Sequence, residues 1–217
     1  MGGDKMKWIQ LPVGPLQTNA YVIYNQEGSC LIIDPGEEKN KIQQFIKRKG
    51  LQPQAILLTH AHFDHIGAVE AVRETYKIPV YLHQAEKKWL SNPALNGSSS
   101  FEGIDPIIID PADQLFMGEG ALVIGGFTFY LYETPGHSPG SVSFYFEEAG
   151  FIFVGDALFK GSIGRTDLKG GHEAQLLKSI QQKLLTLPED TYVLPGHDSV
   201  TTIGQEKTHN PFLKRYK

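Results

Sequence analysis

Short apolar runs closed by glycine, proline or polar clusters recur along the chain. Runs of this kind, rich in β-branched and aromatic residues, predict buried strands. Strands are expected at residues 21–23 and 30–33, joined by a polar turn at 25–28, and again at 55–58 and 80–82. Ile42, Phe45 and Ile46 instead recur at helical spacing before Gly50, and Ala68, Val69, Val72 and Tyr76 do the same. The second half repeats the plan. Strands are expected at 121–124, 127–132, 141–146, 151–154 and 192–194. Leu177, Ile180, Leu184 and Leu187 mark the apolar side of a long helix that Pro188 closes. Between residues 91 and 113 the pattern fades, and Asn96-Gly97-Ser98-Ser99-Ser100 reads as a flexible loop beside the mouth of a site. Two β-rich halves flanked by helices predict an α/β protein, with two mixed sheets packed face to face and helices outside. No linker-like composition separates the halves, so residues 1–217 are expected to form a single domain.

Composition narrows the partners. The chain has 217 residues, ample for one core, and a formal charge of −4 from 20 basic and 24 acidic side chains. No basic block stands out, which argues against nucleic acid as a partner. Lys47-Arg48-Lys49 reads as the solvated, dipole-matched end of a helix. The sole cysteine, Cys30, lies inside an apolar run and reads as a small core residue suited to a reducing compartment. The start, Met1-Gly2-Gly3-Asp4-Lys5-Met6, lacks the apolar core of a signal peptide and the Ser or Thr of a myristoylation site. No run is long enough to span a bilayer, so a cytoplasmic protein without membrane partners is expected. Oligomeric state is not readable from the pattern.

The chemistry begins where the run 55–58 ends. In Thr59-His60-Ala61-His62-Phe63-Asp64-His65, three imidazoles and a carboxylate fall within six positions. Packed without partners, they would repel when protonated and strand lone pairs when buried. A divalent cation removes both problems. His137, Asp156 and His197 share a grammar with this cluster: each follows an apolar run and a Gly or Pro break. Strand ends of layered α/β proteins gather their sites on one rim. The two-residue spacing of His60 and His62 excludes the helical H-E-x-x-H arrangement. His83, His172 and His209 read as ordinary residues at a strand end, a helix start and a polar C-terminal stretch.

Seven donors exceed the roughly four that one tetrahedral zinc takes. Two divalent ions fit better. His60, His62 and His137 are assigned to one, Asp64, His65 and His197 to the other, and Asp156, alone on its strand end, bridges them. Zinc is the expected ion, with iron or manganese accepted by the same donors. A hydroxide shared across ions roughly 3.5–4 Å apart is a nucleophile near neutrality.

The pattern His60-x-His62-x-Asp64-His65 followed by His137, Asp156 and His197 resembles the metallo-β-lactamase superfamily over nearly the whole chain. The fold this implies is an αβ/βα four-layer sandwich. The segment from Gly155 to Asp167, with Thr202–Glu206 and Asn210-Pro211-Phe212, is similar to the short glyoxalase II-like (hydroxyacylglutathione hydrolase-like) members. Asp34 matches the family's first motif position, where a carboxylate hydrogen-bonds near the ligand histidines and fixes their orientation. The pattern also departs from glyoxalase II. The extra C-terminal helical region is missing, Arg165 stands near the place of a glutathione-binding lysine, and Asp167 stands near that of a tyrosine. Arg165 becomes the candidate for pairing with a substrate carboxylate, with a purely structural role weighed beside it. The β-lactamases lack the bridging aspartate, which disfavours antibiotic hydrolysis.

The resemblance implies hydrolysis of an acyl-thiol such as S-lactoylglutathione. The bridging hydroxide attacks the carbonyl carbon, the ion on His60, His62 and His137 polarises the carbonyl, and Asp64 and Asp156 keep the nucleophile aimed. A thiolate, with a conjugate pKa near about 8.5, leaves without a dedicated acid. The rivals are a mononuclear-iron persulfide dioxygenase, a lactonase, a phosphodiesterase and a non-enzymatic metal-binding protein.

Overall fold

Strand β1 (Lys7–Val13) runs antiparallel to β2 (Thr18–Tyr24), in register from Lys7 opposite Tyr24 to Val13 opposite Thr18. β1 is a strand that the pattern did not mark, because Gln10 and Pro12 interrupt its apolar positions and most of it is only half-buried. β3 (Ser29–Ile33) pairs antiparallel with β2, and β4 (Gln52–Leu57), β5 (Val80–His83) and β6 (Gln114–Phe116) then add in parallel. The result is a six-stranded mixed sheet in the order β1-β2-β3-β4-β5-β6.

Parallel neighbours need crossovers. Helix α1 (Lys39–Lys49) links β3 to β4; α2 (Phe63–Ile66) and α3 (Val69–Tyr76) link β4 to β5. Gly50 ends α1 in the left-handed region (φ 64°), its amide bonding back to Ile46 and Lys47 carbonyls as a glycine C-terminal cap does. Ile42, Phe45 and Ile46 of α1 and Val69 and Val72 of α3 join Val22, Ile32, Ile56 and Val80 in one core. The alternate residues Tyr21, Ile23, Leu31 and Ile33 are buried as well. Burial of both faces is why these strands read as continuous apolar runs, each large side chain contributing about 1.5–3 kcal/mol. Cys30 is a buried free thiol in this core, and burial pushes its pKa up to about 12, so it is inert at neutral pH.

The segment expected to be a flexible loop is ordered instead. α4 (Pro93–Asn96) is capped by the Asn92 side chain, which accepts from the Ala94 amide. Asn96, fully buried, donates to the carbonyls of Trp89 and Ile107 and accepts from the amide and hydroxyl of Ser98. A single asparagine thus does the work that apolar periodicity does elsewhere.

The second sheet has the order β14-β13-β10-β9-β8-β7. Its strands are β7 (Gly120–Ile124), β8 (Phe127–Glu133), β9 (Val142–Phe146), β10 (Phe151–Gly155), β13 (Tyr192–Pro195) and β14 (Thr201–Thr202). β9 is antiparallel to β8 and β10, whereas β13 is parallel to β10. β11 (Leu158–Phe159) and β12 (Ser162–Ile163) form a separate hairpin between them. The crossover to β13 is α5 (Glu173–Ser179), which continues as a π-helical turn, Ile180–Leu184, rather than as the long α-helix expected. Leu177, Ile180, Leu184 and Leu187 are all buried there, against Ile152, Val154 and Val193. α6 (Ile203–His209) and α7 (Pro211–Lys214) are the last elements among the described residues.

This computed structural model describes residues 6–214, which fall into two units: 6–117 with 123–127, and 118–122 with 128–214. The N-terminal stretch read for a targeting signal lies, apart from Met6, outside the described residues. Among the described residues no helix is long and apolar enough to cross a membrane.

Candidate metal centre

The first unit holds one donor set on the loop that leaves β4. Asp34, at the end of β3, organises it. Its Oδ1 accepts from the Thr59 amide at 2.8 Å, and its Oδ2 accepts from the Thr59 hydroxyl at 2.6 Å. The same Oδ2 accepts from His65 Nδ1 at 3.1 Å. Because the Thr59 hydroxyl spends its proton on Asp34, its oxygen is the acceptor for His60 Nδ1, 3.1 Å away. One buried carboxylate therefore sets the tautomer of two histidines. Both are left with the lone pair on Nε2, the nitrogen that would ligate a cation.

Asp34 reaches this position with φ 47°, a left-handed conformation that aspartate tolerates better than most residues. Two residues on, Gly36 lets α2 approach: a Cβ there would lie 1.8 Å from the Asp64 carbonyl oxygen. Asp64 is fixed by Thr18, whose hydroxyl donates to its Oδ2 at 2.7 Å, and that oxygen lies 3.5 Å from His65 Nε2. The imidazoles crowd as the spacing implied. The His60 ring centroid is 4.8 Å from that of His62 and 4.2 Å from that of His65. Glu86, fully buried just after β5, accepts from the Ala61 amide at 2.6 Å and pins the backbone between His60 and His62.

The second unit carries the other set, one donor per strand end. His137 lies in the β8–β9 connection, Asp156 directly after β10 and His197 just after β13. His137 Nδ1 donates to the Arg165 carbonyl at 2.8 Å, so its Nε2 also carries the lone pair. Asp156 Oδ2 lies 3.6 Å from His137 Nε2 and 3.5 Å from His197 Nε2. Gly164 closes over this residue, for a Cβ there would come within 1.8 Å of the Asp156 carbonyl oxygen. Behind the hairpin stands Glu206, almost fully buried. It accepts from the Gly161 amide at 2.8 Å, the Thr201 hydroxyl at 2.6 Å and the Asn210 amide group at 2.8 Å. The motif 202–206 with Asn210 is thus a clamp on the loop that follows Asp156.

These donors fit a divalent ion. Tetrahedral ligands about 2.0–2.1 Å from zinc stand about 3.4 Å from one another. The carboxylate–imidazole separations of 3.5–3.6 Å within each unit are already near that edge length. Imidazole and carboxylate also suit iron or manganese.

Arg165 turns inward on its own loop. Its guanidinium makes a two-pronged bond to Asp167, at 2.8 and 2.7 Å, with both side chains exposed. Those hydrogen bonds hold the Asp167 carboxyl down at about 2. The backbone of Arg165, rather than its side chain, meets a candidate ligand. His83 ends β5 and accepts from the Ala85 amide and His172 caps α5, as their sequence contexts implied, whereas His209, expected only in a polar stretch, ends helix α6. Glu86 and Thr18 escaped the sequence reading because a lone Glu or Thr beside a strand has no spacing to betray it.

Residues 13–197 match the family model of the metallo-β-lactamase superfamily. Over 211 residues the chain is 56% identical to the probable metallo-hydrolase YqgX of Bacillus subtilis, covering 97% of this chain and 99% of that protein. It is 38% identical over 204 residues to the hydroxyacylglutathione hydrolase GloC of Haemophilus influenzae, covering 94% and 96%. The crystal structure of the BLEG-1 B3 metallo-β-lactamase matches with a TM-score of 0.93 and 57% identity, covering 95% of this chain and 99% of that one. That of TTHA1623 in a di-iron-bound form matches at 0.84 and 42%, covering 94% and 100%.

Proposed function

This chain belongs to the metallo-β-lactamase superfamily and has its fold of two mixed sheets with helices, and from that premise we propose a dinuclear-metal hydrolase that cleaves a thioester. One observation carries the reading: a single oxygen of Asp156 stands at ligand-edge distance from two imidazoles, as a carboxylate bridging through one oxygen would. The proposal joins the two donor sets in one centre. His60, His62 and His137 would hold one ion, Asp64, His65 and His197 the other, and Asp156 would serve both. The family match supports this, since residues 13–197 take in all seven. A pair of divalent ions supplies a water nucleophile near neutral pH and polarises a carbonyl.

The chain's own residues do the rest. Asp34, through Thr59 and directly, keeps His60 and His65 in one tautomer; the Arg165 carbonyl does so for His137. Asp64, held by Thr18, and Asp156 would accept hydrogen bonds from the attacking water and aim it. A thiolate leaving group asks no proton of the protein, its conjugate pKa being about 8.5. The relative named a hydroxyacylglutathione hydrolase supports a thioester. With its guanidinium closed on Asp167, Arg165 pairs with a substrate carboxylate only by exchanging partners. Zinc is the expected ion, and the di-iron-bound neighbour supports iron as the alternative.

A second reading has its own support. The resemblance alone disfavours antibiotic hydrolysis, yet a neighbour at 57% identity is a B3 metallo-β-lactamase. A β-lactam carbonyl suits the same nucleophile, although its amine leaving group needs a proton that a thiolate does not. Elemental analysis of purified protein, beside turnover of S-lactoylglutathione, neutral acyl-thiols, a lactone, a persulfide, a phosphodiester and a chromogenic cephalosporin, separates the readings. Two metals per chain with thioester turnover dominant is the expected result. Cephalosporin turnover exceeding that of every thioester installs the second reading instead.

A further inference from the structure

A cleft of about 320 Å³ opens beside Asp64 in the first unit. Its walls are apolar: Leu16 from the β1–β2 turn, Phe63 at the start of α2, and Ile104 and Ile107 ahead of β6. Phe63 is braced from behind by Phe101, at 5.1 Å between ring centroids. Two lining glycines leave no room for a side chain. A Cβ on Gly36 would meet the Asp64 carbonyl oxygen at 1.8 Å, and one on Gly67 would meet the Gly36 carbonyl oxygen at 2.4 Å. The floor is therefore backbone packed on backbone, a built surface beside a candidate ligand. The charged lining has one sign. Glu37 and Asp105, both exposed, stand with Asp64, and no lysine, arginine or histidine lines the cleft among the described residues.

We propose that this cleft receives the acyl side of the substrate and selects an apolar chain with a neutral or cationic far end. A carboxylate-ended acyl group meets Glu37 and Asp105 with no cation to offset them, whereas an ammonium group is attracted. The apolar walls reward each methylene that leaves water. This inference rests on the thioester-hydrolase reading and deepens it. It assigns selectivity to the acyl group, whatever thiol carries it.

The test uses the metal-loaded full chain and thioesters of one neutral thiol, N-acetylcysteamine, so that recognition of the thiol drops out. The acyl groups are acetyl, butyryl, hexanoyl, 6-aminohexanoyl and adipoyl. From acetyl to hexanoyl, kcat/KM is expected to rise by about three- to fourfold per methylene, chiefly through KM. The 6-aminohexanoyl ester should exceed the adipoyl ester by about tenfold at low salt, a gap that narrows as salt screens exposed charges. Asp105→Lys should close most of that gap, and Ile107→Ser should flatten the chain-length series. Melting temperature and metal content are measured on both variants, so that a folding defect shows itself. Equal turnover of all five esters, or a preference for adipoyl, overturns the cleft assignment and leaves the hydrolase reading standing. Absence of turnover on every ester overturns both.

Discussion

The two units furnish donors in opposite ways. In the first, His60, His62, Asp64 and His65 share one short segment, the loop after β4 and the start of α2, and two buried carboxylates, Asp34 and Glu86, hold that segment from beyond the ends of different strands. In the second, His137, Asp156 and His197 come from three strand ends, and backbone contacts around Gly164 and the Arg165 carbonyl hold the first two. A clustered set tolerates the loss of one anchor because neighbouring residues still constrain the loop. A dispersed set has no such redundancy. Damage should therefore fall hardest on the second unit and be graded in the first.

The largest expected effect is at Asp156. Asp156→Ala removes the carboxylate oxygen that lies 3.6 and 3.5 Å from the His137 and His197 imidazoles and should lower thioester turnover by about a thousandfold or more, with loss of bound metal. Turnover of the purified variant, read with its metal content, checks this. Retention of full activity with two metals would break the contrast between the units.

Next comes Asp34→Ala. It deprives the Thr59 amide, the Thr59 hydroxyl and His65 of their acceptor in a buried site. Metal affinity should fall about 10- to 100-fold, as for other residues that orient ligands, and stability by about 1–3 kcal/mol. Competition with a chelator and urea denaturation of the metal-free protein give the two numbers separately.

Glu86 should matter less, since it touches the backbone between ligands rather than a ligand ring. Glu86→Ala is expected to weaken metal binding by about tenfold, and Glu86→Gln, which keeps an oxygen for the Ala61 amide, to restore most of it. Equal defects in both variants would assign the effect to the charge instead.

The smallest effect is at the exposed Arg165–Asp167 pair. The hydrogen bonds from Arg165 lower the Asp167 pKa to about 2, so the carboxylate stays charged across the neutral range and the pair parts only as pH falls through that value. In Arg165→Gln, the Asp167 titration followed by NMR should move up toward the ordinary value of about 3.9.

This contrast also explains what could be read in advance. Four donors within six positions announce themselves, and the strands that deliver them read as apolar runs because both of their faces are buried. His137, Asp156 and His197 were legible only through a shared grammar of apolar run, breaker and donor. The supporting residues were mostly silent. Glu86 and Thr18 act through single hydrogen bonds across large separations in sequence, which leave no periodic trace. Asn96 made an ordered segment out of what looks like a polar loop, because one buried amide group satisfies four partners. β1 was hidden by its half-buried, proline-bearing pattern, and the helix after Glu173 shifts into a π-turn that apolar spacing does not resolve. Arg165 drew attention as a cation, and the bond of its carbonyl to His137 had no signal in the sequence.

Anomalous diffraction from crystals of the metal-loaded protein tests the central claim most directly. Two ions roughly 3.5–4 Å apart, with one Asp156 carboxylate touching both and imidazoles from both donor sets around them, is the predicted result. A single ion per chain, or two ions held separately by the residues of one unit each, would contradict the account.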